Sequence, residues 1–124
     1  MYLIDKTYFR NKLQVSGLYD GNNGIEAKLN DYISIYVIDF LQKLLGVDFE
    51  ELKANITDGV LDAGAPQKWL DLINGKTYTK DGKDYVWKGL IYQNGSVKLS
   101  ILANVVYCNL IHDLVTGNGQ ISVD

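Results

Sequence analysis

Three observations predict a mainly helical fold, a small bundle of four to five helices carrying one β-hairpin. Residues 25–45 repeat apolar side chains at helical spacing, and so do residues 97–115. Between them, Asp81-Gly82 separates two β-prone triplets, the strongest short-range sequence signal for a hairpin. With 124 residues and no linker, repeat or low-complexity tract, residues 1–124 form one domain, large enough to bury a core without a disulfide or metal staple.

The elements follow in order. Residues 5–15 read as a short first helix, with Asp5 as N-cap and Tyr8, Phe9 and Leu13 near helical spacing. Residues 17–24, with Asp20-Gly21-Asn22-Asn23-Gly24, read as a loop. Ile25, Leu29, Tyr32, Ile33, Tyr36, Val37, Phe40, Leu41, Leu44 and Leu45 then mark the spine of the domain, closed by Gly46 as a left-handed cap. Asp48 and Glu51 stand as in a capping box and open a helix with Phe49, Leu52 and Ile56 on its apolar face. Residues 57–64 read as a loop. Pro66 suits the first turn of a short helix running to Ile73 and closed by Asn74-Gly75.

Thr77-Tyr78-Thr79 and Tyr85-Val86-Trp87 flank Lys80-Asp81-Gly82-Lys83 and form the hairpin. Asn94-Gly95-Ser96 is a turn. Residues 97–115 form the last helix, with Leu99, Leu102, Val106, Leu110 and Leu114 sharing a face; it is apolar on most sides and therefore central. Gly117-Asn118-Gly119 ends it.

Composition narrows the function. Hydrophobic residues make up 47 % and charged residues 22 %, an ordinary globular balance. The net charge is −3, and eleven of the twelve basic residues are scattered lysines, Arg10 being the exception. A protein that grips phosphates carries a basic stripe rich in arginine, so tight nucleic-acid binding is not expected. No apolar stretch reaches the length of a membrane span, no signal peptide is expected, and the lone Cys108 excludes an internal disulfide.

Candidate chemistry is sparse. Cys108 and His112 lie four apart on a helix, a spacing that can hold a metal, but one Cys and one His are too few ligands for zinc. A Cys–His nucleophile would also need an oxyanion hole. Cys108 is therefore expected to be buried or half-buried, with no catalytic residue, no metal and no cofactor in the chain. Gly21-Asn22-Asn23-Gly24 and Gly117-Asn118-Gly119 lack the strand-to-helix setting of phosphate loops. Asp20, Asp58, Asp62 and Asp81 lie in separate loops without a calcium-loop pattern. The aromatic residues Tyr78, Tyr85, Trp87 and Tyr92 stand apart. Strand alternation puts Tyr85 and Trp87 on one hairpin face and Val86 on the other. A domain this small covers one face well, which marks these aromatics as candidate interface residues.

Trp87-Lys88-Gly89-Leu90, then Ser100-Ile101-Leu102-Ala103-Asn104-Val105-Val106-Tyr107, Asp113 and Thr116-Gly117-Asn118-Gly119 resemble small head-to-tail connector proteins of tailed phages, especially crAss-like phages and related phages of gut bacteria. The resemblance covers about a quarter of the chain. It implies a helical adaptor with a hairpin excursion and no catalytic residues. Copies would form a homo-oligomeric ring, a dodecamer by the resemblance, in the virion neck, assembled in the host cytoplasm. Its partners would be the portal protein and other neck or tail proteins, with DNA passing through without sequence-specific binding and no membrane involved. Members of that group often continue past the Gly-x-Gly, whereas here Asp124 is the last residue; if a longer arm grips the portal, this chain docks another way. The alternatives are a small Cys/His-dependent enzyme and a helix-turn-helix DNA-binding regulator.

Overall fold

Helical backbone runs without a break from residue 23 to residue 54 in the computed structural model, which describes residues 1–19 and 23–116. The first part is α1, Asn23–Leu45. Gly46 takes the left-handed conformation expected of a cap (φ 59°), yet the chain continues through a 3-10 turn, Gly46–Asp48, into α2, Phe49–Ala54. Asp48 makes no capping bond at that junction. Its would-be box partner Glu51 instead holds Lys68 Nζ at 2.6 Å and accepts from Trp69 Nε1 at 2.5 Å, tying α2 to α3, Gln67–Asn74.

The core lies where α1 packs against α4, Ile101–Thr116. Leu29, Ile33, Val37 and Leu41, each four apart on α1, are fully buried. Leu102, Ala103, Val106 and Leu110 face them from α4. Burying each of these large aliphatic side chains stabilises the fold by about 1.5–3 kcal/mol. Phe49 and Leu52 of α2, Trp69 and Ile73 of α3, and Phe9 and Leu90 close the same cluster. The Tyr32 hydroxyl donates to the Asp113 carboxylate and adds a polar tie between α1 and α4.

A four- to five-helix bundle with one hairpin is not what forms. The chain is an α+β mix in which the helices, three continuous rods, share the fold with three separate two-stranded antiparallel hairpins. β1 and β2 are Ile56–Thr57 and Val60–Leu61; β3 and β4 are Lys76–Lys80 and Lys83–Trp87; β5 and β6 are Ile91–Asn94 and Val97–Ser100. The physical reason is turn chemistry. Asp58-Gly59, read as loop, turns the chain with φ 52° and 79°, just as Asp81-Gly82 does with 52° and 75°. Positive φ at both central residues is the type I′ turn that suits strand twist. Gly95 alone is positive in the third turn, which fits type II′.

Residues 97–100 are consequently strand, and the last helix starts at Ile101. Leu99, expected on its apolar face, lies in β6 and is exposed. The buried Ser100 makes the switch: its hydroxyl donates to the Leu90 carbonyl (2.6 Å) and accepts from the Leu102 amide (3.0 Å), capping α4. Residues 5–15 likewise form two 3-10 turns, Lys6–Tyr8 and Asn11–Leu13, instead of one helix. Asp5 caps the first turn as expected. A break at Phe9 (ψ 70°) and left-handed Asn11 (φ 55°) then let the Phe9 ring bury completely.

Candidate assembly interface

The β3–β4 hairpin stands off the body. All ten of its strand residues are exposed, on both faces. Its register pairs Lys76 with Trp87, Thr77 with Val86, Tyr78 with Tyr85, Thr79 with Asp84 and Lys80 with Lys83. Side chains alternate across a strand, so Lys76, Tyr78, Lys80, Lys83, Tyr85 and Trp87 share one face, and Thr77, Thr79, Asp84 and Val86 the other. The Tyr78 and Tyr85 rings stack at 5.5 Å between centroids, 20° apart in plane.

The hairpin base is bonded to the body. Trp87 Nε1 donates to the Leu72 carbonyl (3.1 Å), Lys76 Nζ lies 3.8 Å from Asp71, and the Leu90 amide donates to Leu72. Gly75 (φ 100°) and Gly89 (φ 88°) let the end of α3 and the strand exit cross in direct backbone contact: a Cβ on Gly75 would stand 2.5 Å from the Trp87 carbonyl oxygen. Only glycine allows this approach. The hairpin therefore projects from a fixed root, with its aromatic middle and lysine tip away from the core.

Of the four candidate interface residues, the structure brings Tyr78, Tyr85 and Trp87 onto one exposed face. Tyr92 is not with them. It is half-buried on β5, its ring 5.2 Å from Lys88 Nζ, across an open cleft of about 320 Å³ from Val86. Sequence reading missed the lysines. Their positions, 76, 80 and 83, have the same strand parity as the aromatics once the Asp-Gly turn fixes the register.

Cys108 is exposed, against the expectation that it is buried or half-buried, because it lies on the side of α4 turned away from the buried Leu102, Val106 and Leu110. His112 is exposed as well, its Nδ1 3.5 Å from the Asp113 carboxylate. Neither residue lines the clefts described here. Among the described residues no three His, Cys, Asp or Glu side chains gather as a metal would require, and no helix is long and apolar enough to cross a membrane. Asp20-Gly21-Asn22 and Gly117-Asn118-Gly119 lie outside the described residues.

A second feature was not foreseen: a cleft of about 400 Å³ between the N-terminal turns and β6. It is basic, with Arg10, Lys12 and Lys98 on its walls, beside exposed Val97 and Leu99. Lys98 is committed there, with Nζ 2.8 Å from the Thr7 hydroxyl and 5.4 Å from the Tyr8 ring.

Two of the segments that carry the connector resemblance, residues 87–90 and 100–107, meet in space. Trp87-Lys88-Gly89-Leu90 roots the hairpin, and Ser100 clasps Leu90 while capping α4. Both contacts tie the hairpins to the helices. No family model, curated protein or solved structure matches the chain.

Proposed function

We propose that this protein is a structural subunit that assembles with copies of itself through the β3–β4 hairpin, and that the assembly is a ring in the neck of a tailed phage, between portal and tail. One observation carries the assembly reading: a rooted hairpin whose every strand residue is exposed, with two stacked tyrosines and a tryptophan on one face. An isolated hairpin gains little from its own ladder, and an exposed aromatic face costs solubility. Both costs are offset where the hairpin is buried by a neighbour, and tyrosine and tryptophan are the residues that anchor interfaces. The place in the neck is supported by the resemblance of residues 87–90 and 100–107 to connector proteins. On this reading the portal and tail proteins are the neighbours above and below, and DNA passes through without sequence-specific contact.

Electron microscopy of the purified protein, alone and with its portal, tests this. Closed rings of uniform diameter, alone or seated on the portal, are expected. Particles that remain single subunits at high concentration and ignore the portal would overturn it.

A further inference from the structure

The hairpin and the body differ in charge. Residues 76–88 carry four lysines and two aspartates, net +2, while the rest of the chain carries eight basic and thirteen acidic residues, net −5. Both hairpin aspartates are spent locally or off the aromatic face: Asp84 accepts from Thr79 on the opposite face, and Asp81 sits in the turn. The aromatic face thus holds three lysines and no carboxylate. Lys76 is engaged at the base by Asp71, but Lys80 and Lys83 at the tip form no ion pair among the described residues.

Among the exposed apolar side chains of the body, which also include Ile35, Val60, Ile101 and Val115, two pairs close in sequence lie beside charged groups and could receive such a face. One is Val97 and Leu99, but it borders the cleft walled by Arg10, Lys12 and Lys98, so the hairpin lysines would meet like charge there. The other is the shoulder where α1 passes into α2. Leu44 is 52 % exposed and Val47 91 %, the most exposed large apolar side chain described. Asp48 and Glu50 flank them, both exposed and neither in an ion pair among the described residues, while neighbouring Lys43 is held by Asp39 at 2.9 Å.

We infer that the Lys80/Lys83–Tyr78/Tyr85 face of one copy docks on the Leu44–Val47–Asp48–Glu50 shoulder of the next. The aromatics cover Leu44 and Val47, and the tip lysines meet Asp48 and Glu50. The contact joins two different surfaces, so it is head-to-tail and propagates into a ring or filament, not a closed two-fold dimer. This inference rests on the assembly reading above and adds its acceptor and its polarity.

A charge swap tests it by sedimentation velocity. Lys80→Glu/Lys83→Glu alone, and Asp48→Lys/Glu50→Lys alone, should each weaken self-association by about tenfold or more, since like charges facing across an interface are strongly disfavoured. Mixing the two variants should restore assembly, because each hairpin then faces a shoulder of opposite sign. Rising salt should weaken the wild-type assembly, as exposed pairs are screened. If the wild type assembles, Tyr78→Ser/Tyr85→Ser abolishes it, and both charge variants assemble as the wild type does, the shoulder is not the acceptor and this inference fails while the assembly reading stands. If the wild type self-associates neither alone nor on its portal, both fail. Binding of a labelled single-stranded oligonucleotide by the monomeric wild type, lost in Lys80→Glu/Lys83→Glu, would overturn the inference by making this face a nucleic-acid platform.

Discussion

Gly89→Ala should unlock the root of the hairpin, and the structure sets the size of the effect. Gly89 has φ 88°, a conformation that costs an L-residue about 1–2 kcal/mol. The added methyl would collide with the Ile73 carbonyl oxygen and stand 2.7 Å from the Asn74 carbonyl carbon and the Gly75 nitrogen. All three are backbone atoms, so no side-chain rotation relieves the clash, and overpacking of this kind adds about 1–3 kcal/mol. The total is about 2–5 kcal/mol. Unfolding entropy is about 2.1 cal/mol/K per residue, so a chain of this length should lose roughly 8–19 °C in Tm. Gly82→Ala is the control. Its φ is 75°, but nothing lies within 4 Å of the new Cβ, so only the conformational cost of about 1–2 kcal/mol applies. Thermal unfolding followed by far-UV circular dichroism, at concentrations where the protein is monomeric, compares the two. Equal losses in Tm would refute the close backbone crossing at Gly75 and Gly89.

Further outcomes follow from the same contacts. Ser100→Ala removes a helix cap and leaves the Leu90 carbonyl without its hydroxyl donor, which should cost about 2–3 kcal/mol in chemical denaturation; a change below about 0.5 kcal/mol would contradict that role. Tyr32→Phe should flatten an alkaline limb in stability: burial and the bond to Asp113 push the Tyr32 hydroxyl up to about 12, so its contribution is complete below the unfolded value of 10 and is lost as pH rises from there towards 12. At the acid end the Tyr32 bond holds Asp113 below its ordinary 3.8, and the bond to Lys68 does the same for Glu51. Their contributions are present above the unfolded values and fade as pH falls below about 4, so Asp113→Asn should flatten that limb. Cys108 should react stoichiometrically with a thiol reagent in the native monomer, and Cys108→Ser should shift stability by less than about 0.5 kcal/mol; a need for denaturant before labelling would contradict its exposed place on α4.

The long-range packing of the fold is written plainly in the chain. Leu29, Ile33, Val37 and Leu41 keep a four-residue step with no competing signal, and they bury as that step requires. The Asp81-Gly82 hairpin is equally plain, because two positive-φ residues between β-prone runs admit one solution. Asp58-Gly59 carries the same dipeptide, but its strands are two residues long, too short for alternation to show. Val97–Ser100 misleads for a different reason: its apolar residues continue the helical period of α4, and only the Gly95-Ser96 reversal and the Ser100 cap reveal the strand. The aromatic half of the candidate interface is visible as composition. Its lysine half depends on register, and the shoulder at Leu44 and Val47 depends on the chain continuing past Gly46, where the sequence reads as a stop. Tyr92 shows the limit of clustering along the chain: seven residues after Tyr85, it belongs to a different hairpin.

The central claim is that the β3–β4 hairpin exists to be covered by a neighbouring copy. Tyr78→Ser/Tyr85→Ser tests it most directly, since the two rings stack on each other in mid-hairpin, clear of the Trp87 bond to the body. Sedimentation velocity across a concentration series, with circular dichroism on the same samples, is the measurement. Self-association weakened by about 2 kcal/mol or more, the scale of an interface hot spot, with helix content unchanged, is the predicted result. Unaltered self-association, or loss of helix content in step with loss of assembly, would contradict the claim.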